Sequence, residues 1–207
     1  MSDKEYFSRA YDLEGPEDAR RLYGAWAPDY DSEMVEKEGY RGPEMLAREV
    51  ERRIADKSSW IVDVGCGTGL VGLHLGKLGF ANVDGIDLVQ AMLDQASGKD
   101  SYKRLVLGDL LDRVPINDNR YDVAVSAGTF THNHVGPKGL DEVVRIVRPG
   151  GKVLILCNAE AFESDGYEGK LDELARLGLA DLVESVETGA ILANGVEGRL
   201  LVLDIHI

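Results

Sequence analysis

Three glycines at alternate positions stand in Asp63-Val64-Gly65-Cys66-Gly67-Thr68-Gly69, directly after the apolar run Trp60-Ile61-Val62. Lacking Cβ atoms, Gly65, Gly67 and Gly69 permit positive φ and let a ligand lie against the backbone. A helix that opens behind them presents unpaired N–H groups to a polar or anionic group. A turn serving only to join a strand to a helix would need one glycine, so three with an acid upstream point to a ligand. The same stretch also contains Gly67-Thr68-Gly69-Leu70-Val71-Gly72, a G-x-G-x-x-G match. Alone, that pattern is a weak sign of an NAD-dependent oxidoreductase. Its first glycine falls two residues beyond Gly65 and misses the strand exit. Asp63 would also repel a pyrophosphate, whereas it can attract a ligand's ammonium group.

Two further acids follow apolar runs. Asp87 closes Asn82-Val83-Asp84-Gly85-Ile86-Asp87, where a carboxylate can accept hydrogen bonds from a ribose diol. Asp109 follows Leu105-Val106-Leu107 and can accept from an exocyclic amine. A single Asp in such a place is usually a turn or cap residue. Three acids at the C-terminal ends of three strands, the edge where open α/β sheets bind ligands, argue instead for an adenosine-type site. Beyond the next apolar run, Phe130-Thr131-His132-Asn133-His134 brings two imidazoles together. His132 or His134 can take a proton from an attacking oxygen or nitrogen. The plainer alternative is that one caps a helix and the other lines a pocket. No third ligand stands at a recognisable spacing, so a metal is not expected there.

These residues need a scaffold that brings strand ends together. Trp60 to Val64, Asn82 to Asp87, Leu105 to Leu107, Tyr121 to Ser126 and Lys152 to Cys157 read as strands. Between them Leu70 to Leu78, Val89 to Ser97 and Leu140 to Val147 read as helices, the last closed by Arg148-Pro149-Gly150-Gly151. Strands spaced by single helices make right-handed β-α-β units, and hence a doubly wound parallel sheet in an α/β, Rossmann-like fold. Pro16 to Ala27 and Pro43 to Ala55 read as helices begun by proline. They make residues 1–57 an N-terminal helical cap, lying over the sheet's edge as a lid and belonging to the same unit as residues 58–207. Leu182 to Leu192 and Arg199 to Ile207 flank Asn194-Gly195, a hairpin signal that ends the sheet with antiparallel strands.

Composition narrows the classes of function. The chain has 207 residues and a formal charge of −14, which sets an acidic body against a nucleic-acid substrate. Its basic pairs, Arg20-Arg21 and Arg52-Arg53, lie among acids. No apolar run is long enough for a bilayer span, and Met1-Ser2-Asp3-Lys4-Glu5 lacks the apolar core of a secretory signal. Cys66 and Cys157 show no framework spacing, which suits a reducing cytoplasm. His74 and His206 read as surface and structural histidines.

Taken together, Asp63 to Gly69, Asp87, Asp109, Val114 to Asp122 and Arg148-Pro149-Gly150-Gly151 resemble the class I S-adenosylmethionine-dependent methyltransferases over about residues 20 to 207. Gly128 to Pro137 is similar to the Williams–Beuren critical-region methyltransferase-like group. The resemblance implies a sheet of seven strands and S-adenosyl-L-methionine as cofactor. Gly65, Gly67 and Gly69 would then pack against its methionine portion, with Asp63 near the ammonium group. Asp87 would bind the ribose and Asp109 the adenine amine, with the Leu110 N–H facing the ring. Leu88 and Met92 would flank the adenine, Tyr23 and Tyr30 would close over the methionine end, and Ser126 would join these contacts. The fourth strand ends Ser126-Ala127-Gly128 and lacks the Asn/Asp-Pro-Pro-aromatic tetrapeptide of many nucleic-acid N-methyltransferases. With the charge, this favours a small-molecule acceptor over nucleic acid or a membrane surface. The alternative reading is a non-catalytic regulatory protein that binds the same cofactor.

Overall fold

The structure is a computed structural model that describes residues 3–206; Met1, Ser2 and Ile207, to which the sequence reading extended, lie outside it. Among the described residues, seven strands form one sheet, the inner ones from apolar runs with no helical period. They are β1 (Ile61–Val64), β2 (Val83–Asp87), β3 (Arg104–Leu107), β4 (Tyr121–Ala127), β5 (Val147–Asn158), β6 (Ala180–Ala190) and β7 (Glu197–Ile205). Their order is β3-β2-β1-β4-β5-β7-β6, so the chain reverses direction across the sheet between β1 and β4. The first five strands pair in parallel, and β7 runs antiparallel between β5 and β6. The expected seven-stranded α/β sheet with an antiparallel end is therefore present.

Successive residues of a strand face opposite sides, and both sides of the inner strands are covered, while the edge strands β3 and β6 are largely exposed. Val62 and Val64 of β1 and Ala124 of β4 join a core with α6 (Leu140–Ile146), α7 (Ala159–Ser164) and α8 (Tyr167–Arg176). Ile61, Val123 and Val125 face the opposite core, with α2 (Pro16–Trp26), α3 (Gly42–Arg53) and α4 (Leu70–Lys77). A short α1 (Asp3–Arg9) precedes them, and α5 (Gln90–Ser97) links β2 to β3. The sequence reading assigned no element to α1, α7 or α8.

Two expectations change, and a third gains detail. Helix α3 does not lie over an edge: Leu46, Ala47 and Val50 are buried against the sheet face, whereas α2 overhangs the strand ends through Pro16, Ala19 and Tyr23. Arg148-Pro149-Gly150-Gly151 falls inside the span of β5, where the pairing with β4 shifts register after Tyr121. Asn194-Gly195 sits in a hairpin loop whose flanking residues pair through Ile191 N–H to Val196 C=O at 2.8 Å. That loop docks on the cap, because the Arg41 N–H donates to Ile191 C=O and the Ala193 N–H to Glu38 C=O.

Candidate active site

The three glycines after β1 have φ of 70°, 53° and 91°, all in the left-handed region. They do different things. A Cβ on Gly65 would stand 1.9 Å from Thr129 Oγ1, and one on Gly69 would stand 2.9 Å from the Tyr102 ring. A Cβ on Gly67 would meet nothing within 4 Å. Gly65 and Gly69 thus admit protein neighbours, and Gly67 keeps a space open. Asp87 stitches the loop to β2: its carboxylate accepts from the Gly67 N–H at 2.8 Å and the Val89 N–H at 2.9 Å. Burial raises its pKa to about 6, against the lowering effect of those N–H donors.

The open space is a cavity of about 980 Å³, counting its mouth, at the C-terminal ends of β1, β2 and β4. One wall is Gly65, Gly67, Ile86, Asp87, Leu88, Val89 and Met92; a second is Gly108, Asp109, Leu110 and Leu111. Tyr23, Tyr30 and the start of α2 form a roof, and Ala127, Gly128, Thr129, Asn133, His134 and Val135 close the far side. Asp109 accepts from the Leu111 N–H at 2.9 Å, and Arg20 of the roof stands 3.9 Å from its other oxygen. The roof is tied down at three points. Thr68 Oγ1 donates to Asp31, Lys99 pairs with Asp31 at 2.6 Å, and Asn133 Nδ2 donates to Tyr11 C=O at 2.6 Å.

The sequence reading named Tyr23, Tyr30, Gly65, Gly67, Asp87, Leu88, Met92, Asp109, Leu110 and His134, and all of them line this cavity. Four residues that it named do not. Gly69 is packed under Tyr102. Asp63 lies behind the loop, wholly buried, so its expected contact with an ammonium group is corrected. It accepts from the Tyr102 hydroxyl at 2.7 Å, and its other oxygen has no partner. Burial raises Asp63 to about 7, the Tyr102 bond lowers it and the Asp87 charge raises it. The Ser126 hydroxyl donates to Val64 C=O at 2.7 Å and pins β4 to β1, so its place among ligand contacts is also corrected. His132 lines neither this cavity nor a second one that adjoins it and faces Asp165, 3.1 Å away, so the structure does not bring it to the site.

His134 is differently placed. Its Nδ1 lies 2.8 Å from His132 C=O, and a carbonyl only accepts, so the proton is on Nδ1. Nε2 therefore accepts from the Tyr23 hydroxyl, 2.6 Å away. Burial lowers the pKa of His134, which keeps the imidazole neutral. His134 and Tyr23 also line a second cavity of about 580 Å³, counting its mouth, together with Tyr30 and Gly128. Its remaining walls come from Phe7, Tyr11, Trp26, Met34 and Tyr40 of the cap, Thr131, Leu156, Asn158, and the docked loop with Ile191 and Leu192. No carboxylate, ammonium or guanidinium group is among them. Of these walls the sequence reading named Tyr23, Tyr30 and His134; the cap residues Phe7 and Tyr40 and the loop residues Ile191 and Leu192 gave no signal, because they come from opposite ends of the chain.

No group of three or more His, Cys, Asp or Glu among the described residues is placed to hold a metal, and none of their helices is long and apolar enough to cross a membrane. Residues 62–155 match the methyltransferase domain family. The chain is 30% identical to human methyltransferase-like protein 27 over 172 residues, which is 79% of this chain and 69% of that protein. It is 38% identical to the bovine 18S rRNA (guanine-N(7))-methyltransferase over 71 residues, covering 34% of the chain and 25% of the relative. Among solved structures, the [4+2]-cyclase SpnF superposes with a TM-score of 0.72 at 14% identity, over 94% of this chain and 98% of that one. The strand order, the glycine loop opening on a cavity and the kinship along four-fifths of the chain leave no place for a nicotinamide enzyme: the chain belongs to the class I S-adenosylmethionine-dependent methyltransferases.

Proposed function

We propose that this methyltransferase acts on an uncharged small molecule seated in the second cavity. The observation that carries the reading is that the two cavities share Tyr23, Tyr30, Gly128 and His134, while the second has no charged wall. A charged acceptor would lose its hydration there without a compensating partner. A folded RNA would bring its phosphates to a body of charge −14.

The cofactor supplies a methyl group already activated on a sulfonium, so the protein's work is chiefly alignment. Holding donor and acceptor in line contributes several kcal/mol. The residues present fit the cofactor, since Gly67 leaves its side of the cavity free where any other residue would fill it. In this reading Gly65 and Gly67 hold the methionine portion, Asp87 the ribose, and Asp109 with the Leu110 N–H the adenine, which Leu88 and Met92 flank. Tyr23 and Tyr30 close the methionine end and exclude water.

Asp87→Ala would remove a ribose acceptor together with the anchor of Gly67. Calorimetric titration with S-adenosylhomocysteine should show a loss of about 1.5–3 kcal/mol, the range for hydrogen bonds to a charged group. Unchanged affinity would place the ribose elsewhere. The acceptor class is tested with a methyl-labelled cofactor offered to a metabolite extract and, separately, to total RNA. Label is expected in low-mass, organic-extractable products. Label in RNA would overturn the reading, and S-adenosylhomocysteine release with neither pool would leave the regulatory alternative.

A further inference from the structure

Tyr40 is out of keeping with the rest of the second cavity. Its hydroxyl oxygen is shut off from solvent and has no hydrogen-bond partner. Buried polar groups in folded proteins are almost always satisfied, and an exception calls for an explanation. Tyr40 lines the second cavity, and at the junction of the two cavities is Gly128, which lines both: a Cβ on it would lie 2.7 Å from that oxygen. Gly128, at φ 82°, leaves that oxygen room. Tyr23 is at the same junction, with its proton already directed at His134 Nε2. Around them the wall is aromatic, with Trp26 and Tyr30 in edge contact at 4.8 Å between ring centres.

Resting on the reading that the second cavity takes the acceptor, we propose that the acceptor is a flat aromatic alcohol, a phenol-like ring whose hydroxyl is the methylated group. Its ring packs among Trp26, Tyr30 and Phe7. Its oxygen accepts a hydrogen bond from Tyr40 and donates one to Tyr23. As the oxygen's electron pair forms the bond to the methyl carbon, the carbon–sulfur pair leaves with the sulfur. The acceptor's proton passes to Tyr23, and Tyr23 passes its own to His134 Nε2. The products are an aryl methyl ether, a neutral thioether and an imidazolium that returns its proton to water. Tyr40 orients the nucleophile, and the Tyr23–His134 pair is its base.

The test compares 2-naphthol with 2-methylnaphthalene, titrated calorimetrically into protein saturated with S-adenosylhomocysteine. Wild type is expected to bind the naphthol about tenfold more tightly than the hydrocarbon, roughly the value of one or two neutral hydrogen bonds. Tyr40→Phe should lose most of that preference, while its affinities for 2-methylnaphthalene and S-adenosylhomocysteine stay unchanged. In turnover of 2-naphthol, Tyr40→Phe should raise KM, and His134→Ala should lower kcat by ~10²–10⁴-fold, as for loss of a general base. Equal binding of the two compounds to wild type, or of naphthol to wild type and Tyr40→Phe, overturns the phenol proposal and leaves an apolar acceptor cavity standing. Binding of neither compound overturns the acceptor cavity itself.

Discussion

Gly67→Val is expected to weaken S-adenosylhomocysteine binding by more than ~100-fold, beyond any single neutral hydrogen bond, while the sheet stays folded. At Gly67 the backbone has a φ of 53°, so a β-branched residue brings a strain of about 1–2 kcal/mol. It brings no collision with protein, because nothing lies within 4 Å of the added Cβ. The valine methyls instead enter the cavity that Gly67 lines. Gly65→Ala makes the opposite case. Its Cβ would be driven into Thr129, so this smaller change should lower the melting temperature more than Gly67→Val does. A thermal melt beside a calorimetric titration separates the two. Wild-type affinity in Gly67→Val would take the loop out of the ligand site.

The second large effect is on stability against pH. Asp63 and Asp87 are raised to about 7 and about 6, mainly by burial, while in an unfolded chain a carboxyl titrates near ~3.9. Below that value both states are protonated and the contribution of these groups to folding is fully present. As pH rises toward 7 the unfolded chain ionises first, so that stability is lost. Ligand-free wild type should therefore melt at progressively lower temperature from pH 5 to pH 8. Asp63→Asn, which stays neutral, should remove the larger share, at most about 4 kcal/mol for a shift of some three pH units. Asp87 would leave a smaller decline. A variant that tracks wild type at every pH would mean that Asp63 ionises in the fold at little cost.

The parallel half of the sheet was legible because its inner strands, β1, β2 and β4, are buried on both faces and stand out as apolar runs. Residues 159–176 gave no such contrast: Leu171 and Leu174 are buried, but charged residues surround them and a glycine separates the two short helices. In the site, what could be read lies within a few residues of a strand end, as Gly67, Asp87 and Asp109 do. Ser126 was misplaced because its hydroxyl goes to β1, while the cavity is reached by the next residue, Ala127. His132 and His134 are two apart in an irregular loop, and only their contacts show which one faces the ligand. Tyr40 and Ile191 gave no signal at all, since they share a wall across some 150 residues of chain.

The docked hairpin loop bears on how the protein is made. Synthesis delivers the cap first and Ile191 and Leu192 nearly last, yet the backbone bonds from Arg41 and Ala193 join these two ends. Chains fold as they emerge from the ribosome, N-terminal parts first. The strands and turns that bear the glycine loop, Asp87 and Asp109 are therefore in hand long before the final hairpin arrives to wall the second cavity. A nascent chain halted near residue 180 would carry the nucleotide half of its chemistry beside an unfinished chamber.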